Sequence, residues 1–275
     1  MRTVPKRNRE LQSNMKCMFY AGALVLSMCL FFACKNEHDV IVAGSTSVQP
    51  YAEVLAEEYM SLNPQNMIDI QGGGSSAGIT AAESGTANIG MSSRALTDTE
   101  QDLWSVEIAK DGLAMIVNPA NPVQNLTLAQ IRGIYTADIQ KWSEIGGADV
   151  KIHIIAREEG SGTRSSFEEL IMDGRRITPK AIIQDSNGAV RQLVADDPYS
   201  IGFLSLGLVD DTVKALHLDG VAATRENIIN RSYSLLRSFL FVSKDRPKDA
   251  VKDYVDFVLS PEGQRILSDE GLIPE

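Results

Sequence analysis

The sequence predicts an α/β protein of two lobes, each built on a mixed, mostly parallel sheet flanked by helices. Short apolar runs typical of buried strands alternate with segments of helical spacing, and glycine or proline punctuates their boundaries. A length of 275 residues suffices for two modest domains. Because neither an internal repeat nor a low-complexity linker divides the chain, the element order favours two lobes joined by two extended crossovers over two independent domains.

The first elements predict parallel strands. They are, in order, a strand at 39–43, a helix at 48–62, a strand at 67–71, a helix through Ile79, Ala82 and Glu83, and a strand at 87–91. Glycines follow the first two strands, and Asn63-Pro64 ends the first helix. A strand–helix–strand–helix–strand unit forms parallel strands with right-handed crossovers, and ligands bind outside the carboxyl ends of such strands.

The remaining elements complete the two lobes. Strands are predicted at 112–118, 150–156, 201–204, 213–218 and 238–243, and helices at 128–135, 138–145, 163–172, 190–195, 248–259 and 261–268. The expected lobes are 40–117 together with 239–275, and 118–238, with crossovers near Val117 and Phe239.

The amino terminus predicts export. A basic flank precedes an uncharged apolar segment at 20–33, which has the length of a signal-peptide core. We expect a signal peptide at 1–33, with Met1 or Met15 as the start, lipidation of Cys34, and a polar tether at 34–39. The alternative is an uncleaved membrane anchor, since the uncharged run is just long enough to span a bilayer.

Charge and cysteine content exclude several function classes. The net charge of −10 is unfavourable for binding nucleic acid, which requires basic patches. Cys17, Cys29 and Cys34 are the only cysteines, so the exported part has neither a disulfide nor a thiol nucleophile. No spacing of His, Asp and Glu predicts a metal site, and no cofactor is expected.

Three stretches rich in glycine and hydroxyl side chains each follow a predicted strand and precede a helix. They lie at 44–47, 72–76 and 157–163. A helix amino terminus has unpaired N–H groups and a partial positive charge, so three such ends together would bind a small oxyanion such as phosphate. In the third stretch, Arg157 offers a planar guanidinium for a tetrahedral anion, and Glu159 is expected to hold it in place.

Each stretch also permits other interpretations. Any one of them fits an ordinary helix cap. The second matches a weak dinucleotide-binding pattern, but Ser92-Ser93-Arg94 stands where an acidic residue would bind the ribose. The same stretch matches G-x-S-x-G, which would make Ser76 the nucleophile of a secreted serine hydrolase. Its partners would be His217 and either Asp196 or Asp197.

Several motifs together resemble the phosphate-binding lipoproteins of phosphate ABC importers. They are AGSTSVQP at 43–50, GGSSAG at 73–78, IGMSSR at 89–94, REEGSGTR at 157–164, SNGAV at 186–190, IGFLS at 201–205 and FVLSPEGQ at 257–264. The resemblance extends from about Val40 to the carboxyl terminus. It implies a type II periplasmic-binding-protein-like fold that closes on its anion, an exported and lipid-anchored monomer, and an ABC permease as partner.

The resemblance also implies a set of ligand-binding residues. By motif position these are Thr46, Ser47, Ser75, Arg157, Ser161, Gly162 and Thr163. Ser93 matches a position where many members have an aspartate. A carboxylate there accepts the proton of hydrogen phosphate and repels sulfate, whereas a serine repels sulfate only weakly. Phosphate is therefore the expected ligand, and sulfate, molybdate and tungstate are the alternatives.

Overall fold

The computed structural model describes residues 39–274, so the predicted signal peptide and Cys34 lie outside the described residues. The strands are β1 (Asp39–Gly44), β2 (Met67–Gly72), β3 (Ile89–Ser92), β4 (Trp104–Val117), β5 (Asn125–Leu126), β6 (His153–Arg157), β7 (Ile182–Gln184), β8 (Ser200–Ser205), β9 (Lys214–Ala215), β10 (His217–Leu218), β11 (Leu236–Ser243) and β12 (Ile273–Pro274). The helices are α1 (Gln49–Leu62), α2 (Ser75–Ser84), α3 (Leu128–Thr136), α4 (Gly162–Phe167), α5 (Asn187–Asp196), α6 (Arg225–Ile229), α7 (Asp249–Leu259) and α8 (Pro261–Asp269). No helix within this described range has the length and apolarity that crossing a bilayer requires.

Eight strands form the path of a mixed sheet in the order β2-β1-β3-β11-β4-β8-β6-β7, and β9 and β12 also pair with β4. β5 and β10 form a separate two-stranded sheet. β1 pairs in parallel with both β2 and β3, which confirms the parallel unit predicted at the start of the chain. β6 likewise pairs in parallel with β7 and β8. β11 is antiparallel to both β3 and β4, which makes the sheet mixed.

β4 links the two lobes. Its first part pairs with β11 as far as Gly112, and its last part, from Leu113 to Val117, pairs with β8. The sequence predicted only the second part, at 112–118, as a strand, because Leu113–Val117 is uniformly apolar. The first part contains Glu107 and Lys110, which interrupt the apolar run that signals a buried strand.

Each lobe has its own apolar core. One core surrounds Tyr135, Phe167 and Phe203, with the two phenylalanine rings stacked 4.2 Å apart. The other surrounds Tyr59, Tyr254 and neighbouring aliphatic side chains, with those two tyrosine rings edge to face. A third, smaller cluster lies where α5 packs on β4, β6 and β8. The two larger cores agree with the predicted two-lobed fold, while the lobe limits at 117/118 and 238/239 remain a prediction.

Several short elements differ from the predictions. The strand expected at 213–218 is two separate two-residue strands, β9 and β10, and the helix expected at 138–145 is only the 3₁₀ turn Trp142–Ile145. β7 and α6 were not predicted. Both are too short to show a clear hydrophobic period, and the side chains of Ile182 and Ile183 in β7 are about half exposed.

Glycines bring α2 unusually close to the sheet. A Cβ atom added to Gly78 would lie 2.4 Å from the Ala43 carbonyl oxygen and 2.5 Å from the Gly44 Cα. A Cβ atom on Gly90 would lie 2.5 Å from the Gly78 carbonyl oxygen. Since real Cβ contacts are longer than this, only glycine permits the approach, and the approach fixes where the amino terminus of α2 lies.

We expect Gly78→Ala to destabilise the protein by about 1–3 kcal/mol, because the added methyl group would displace the backbone of β1. The matched control is Gly188→Ala, also within a helix, where an added Cβ would meet nothing within 4 Å. That change should be neutral or stabilise by up to about 1 kcal/mol. Urea unfolding of both variants provides the comparison, and equal stability would contradict the packing argument.

Candidate functional site

Hydroxyl side chains from both lobes meet in one cluster. Ser47 Oγ, just after β1, lies 2.7 Å from Thr163 Oγ1 in the first turn of α4. Ser93 Oγ, just after β3, lies 2.9 Å from Ser45 Oγ and 3.3 Å from Ser75 Oγ. The three glycine–hydroxyl stretches that are far apart in the sequence are therefore adjacent in space.

This hydroxyl cluster is shielded from solvent. Its members Ser45, Ser47, Ser75, Ser93 and Thr163, and the neighbouring Ser161, are each at most 2% exposed. Thr46, beside them, is half-buried. Buried hydroxyl groups require hydrogen-bond partners, and each can both donate and accept. The structure thus brings hydroxyl residues from all three predicted stretches to one place.

Backbone contacts join the lobes around the cluster. Ser76 N donates to the Gly160 carbonyl at 3.1 Å, and Ser166 Oγ donates to the Ser93 carbonyl at 3.0 Å. A Cβ atom added to Gly162 would lie only 2.1 Å from Ser75 Oγ. Glycine at this position therefore permits the two lobes to approach as closely as they do.

Two helix amino termini adjoin the cluster. α1 and α2 begin after Val48 and Gly74, and neither has a side-chain cap. Ser75 is the first residue of α2, so its hydroxyl lies at that positively polarised end. α4, in contrast, is capped by Ser161, whose Oγ accepts from Arg164 N at 3.2 Å. The ends of α1 and α2 contribute a positive potential to the cluster.

Arg157 lies buried at the end of β6, only 1% exposed. Its Nε and Nη2 donate to the two carboxylate oxygens of Glu158 at 2.9 and 3.0 Å. The prediction that Glu159 holds the Arg157 guanidinium in place was therefore wrong. The side chains of successive residues point in different directions, and here the first of the two glutamates faces the guanidinium. Nη2 also donates to the Asp185 carbonyl, which leaves Nη1 facing the cluster.

Asn187 is a cluster residue that the residue-by-residue prediction missed. With its amide oxygen turned toward the cluster, it accepts from Arg157 Nη1 at 3.0 Å, from Ser47 Oγ at 2.9 Å and from Thr46 Oγ1 at 3.1 Å. This orientation is assigned from the hydrogen-bond network, because the amide nitrogen would face only donors. The SNGAV motif contained the signal, since Asn187 directly follows the Ser186 that caps α5.

Arg237 and Asp111 form a buried ion pair that the sequence analysis also missed. They lie opposite each other on β11 and β4, with Arg237 Nε and Nη2 at 2.9 and 2.8 Å from Asp111 Oδ2. Arg237 Nη2 also donates to Ser47 Oγ at 3.1 Å. Burial raises the pKa of the Asp111 carboxyl, and the Arg237 charge opposes that rise. The only sequence signal was a charged residue within each of two apolar strands.

The serine hydrolase arrangement is not assembled. Ser76 Oγ accepts from Arg94 Nη2 at 3.3 Å, and no histidine of the described residues lies within hydrogen-bonding distance of it. His217 belongs to β10, which pairs with β5, while Asp197 pairs with His153 instead. Within residues 39–274, no group of three His, Cys, Asp or Glu side chains is placed to hold a metal ion.

Comparison with known proteins yields one consistent set of similarities. The family model of the PBP superfamily domain matches residues 34–262. The Bacillus subtilis phosphate-binding protein PstS is 32% identical over 246 residues, which cover 87% of this chain and 82% of that protein.

Two solved structures are also similar. A candidate phosphate ABC transporter substrate-binding protein from Clostridium perfringens, solved with bound phosphate, is 44% identical with a TM-score of 0.84, and the match covers 86% of this chain and 99% of that one. An ABC-type phosphate transport receptor from Vibrio cholerae is 38% identical with a TM-score of 0.72, covering 86% and 100%.

Next to the cluster, Arg94 holds Glu100 in a bidentate ion pair at 2.7 and 2.9 Å, which lowers the pKa of Glu100 to about 2. Because the pKa is lowered, the ion pair stabilises the folded protein fully at pH values above the ordinary pKa of 4.5, and this stability is lost as pH falls toward about 2.

We therefore expect Glu100→Gln to lower the free energy of unfolding by on the order of 1–2 kcal/mol at neutral pH, a modest value because the pair is partly exposed. Urea unfolding should show the difference from wild type shrinking below pH 4.5. Glu83→Gln, on the exposed face of α2, is the control. A difference that is constant with pH would refute the ion-pair argument.

Proposed function

This chain belongs to the PBP superfamily and, within it, to the family of phosphate-binding proteins, and we propose that it captures inorganic phosphate outside the cytoplasm for an ABC importer. The observation that carries the proposal is the buried cluster of hydroxyls from both lobes, to which Arg157 is joined through Asn187. Such a cluster offers directed donors to each oxygen of a tetrahedral anion.

The donors of the cluster replace the water shell of the anion. Serine and threonine hydroxyls, the end of α2 and the Arg157 guanidinium donate to the phosphate oxygens, and charge-assisted hydrogen bonds of this kind are the strong ones. Glu158 keeps the Arg157 fork in a single orientation through its two hydrogen bonds. The proposed ligand-binding residues are Thr46, Ser47, Ser75, Ser93, Arg157, Ser161, Gly162 and Thr163.

Capture proceeds by closing the two lobes around the anion. β4 pairs with strands of both lobes, so a bend in β4 and the neighbouring start of β11 would separate Ser47 from Thr163. Gly162 permits the final approach. The proposed capture involves no covalent step.

Delivery requires an exported protein close to a membrane permease. The charged flank and apolar segment before Cys34 support export through a signal peptide, and Cys34 supports a lipid anchor. We propose that the protein acts as a monomer tethered to a bacterial membrane, passing phosphate to an ABC permease.

Arg157→Ala should weaken phosphate binding by about 3 kcal/mol or more, on the order of a hundredfold in Kd, because a buried anion loses a charged donor. Isothermal titration calorimetry with inorganic phosphate measures this directly. Arg132→Ala is a matched control, since Arg132 pairs with Asp173 and donates to the Ile171 carbonyl. Absence of phosphate binding by the wild-type protein would sink the proposed function.

Selectivity among oxyanions is expected to depend on Ser93. Because no carboxylate stands at this position, sulfate should compete measurably with phosphate in the wild-type protein. Ser93→Asp should reduce sulfate binding at least about tenfold more than Ser93→Asn, which has the same size without the charge. Competition titrations with sulfate, molybdate and tungstate test this. Tighter binding of any of these than of phosphate would reassign the ligand.

A further inference from the structure

Arg237 has an unsatisfied donor inside the protein. Its side chain is 3% exposed and that of its partner Asp111 is fully buried. Nε and Nη2 are used by Asp111, and Nη2 is shared with Ser47. Nη1 is buried and has no acceptor among the described residues. A buried charged donor without an acceptor is costly, so an acceptor from outside the chain is expected at this atom.

The planar geometry of the Arg237 guanidinium determines the direction in which Nη1 points. Nε–H and one N–H of Nη2 form one edge of the planar guanidinium, and this edge faces Asp111. The other N–H of Nη2 forms a second edge together with an N–H of Nη1. This N–H of Nη2 donates to Ser47 Oγ. The edge carrying Nη1 therefore faces the hydroxyl that also contacts Thr163 and Asn187.

A second charged group lies close by. Arg157 Nη1 lies 3.0 Å from the Asn187 amide oxygen, which also accepts from the hydroxyl that Arg237 Nη2 contacts. Burial lowers the pKa of Arg237; Asp111 opposes this shift, and the charge of Arg157 adds to it. Two buried like charges repel, and an anion between them removes that repulsion. The oxygens of Asp111 are occupied by Arg237 and by Ser205 Oγ, at 2.8 Å from the latter, so this carboxylate is turned away from the cluster.

We propose that Arg237 is a second anion-binding arginine, whose Nη1 donates to the bound phosphate from the side opposite Arg157. This inference rests on the proposed function and extends it, because it assigns to the site a residue outside every glycine–hydroxyl motif. A site with two guanidinium donors favours a doubly charged tetrahedral anion.

The test is a pair of measurements on the whole protein. Titration of Arg237→Gln with inorganic phosphate should show Kd raised at least about tenfold, the loss expected for one charge-assisted hydrogen bond. Arg237→Lys should restore part of the affinity, since it restores the charge without the planar fork. Arg132→Gln serves as the control for loss of a partly buried arginine elsewhere. Thermal unfolding without phosphate identifies any variant that fails to fold.

The second measurement needs no variant. A crystal structure of the wild-type protein with phosphate should place a phosphate oxygen within about 3.2 Å of Arg237 Nη1. Phosphate bound without that contact, or an Arg237→Gln protein that folds and binds within about twofold of wild type, overturns the inference and leaves the proposed function intact. A wild-type protein that binds no phosphate overturns the proposed function instead.

Discussion

The burial of two guanidinium groups between the lobes is the constraint on which the rest of the site depends. A buried charge is tolerated only when nearly all of its hydrogen bonds are made, so acceptors must be supplied from several directions. Arg157 obtains them from Glu158 and from backbone carbonyls at the end of β7. Arg237 obtains a carboxylate from the facing strand. The acceptors for these two charges thus come from the ends of β6 and β7 and from the middle of β4.

Close backbone packing is what places the hydroxyls around those charges. α2 lies against β1 and β3 through Gly44, Gly78 and Gly90, so glycine contacts set the position of Ser75. Its hydroxyl then accepts from Ser93 N at 3.0 Å. Gly162 has the corresponding role between the lobes. Interiors packed at crystal-like density cannot absorb an added methyl group without moving the backbone. The same packing that stabilises one lobe therefore sets the geometry of the site.

The strand β4 connects these two constraints. It pairs with β11 in one lobe and with β8 in the other, and Asp111 lies near the residue where the partner changes. The Asp111–Arg237 pair consequently links the strands that cross between lobes to Ser47 in the site.

The sequence by itself determined the alternation of strands and helices, the parallel β1–β3 unit and the glycine–hydroxyl loops, because periodicity and turn chemistry are local properties. Even the resemblance to the phosphate-binding proteins rested on short motifs. Only the tertiary structure decided that Glu158 rather than Glu159 holds Arg157, and that Arg237 meets Asp111 and Ser47. Arg237 and Asp111 are 126 residues apart, and their pairing depends on strand order and register. Those are set by packing over the whole sheet, which no local pattern encodes.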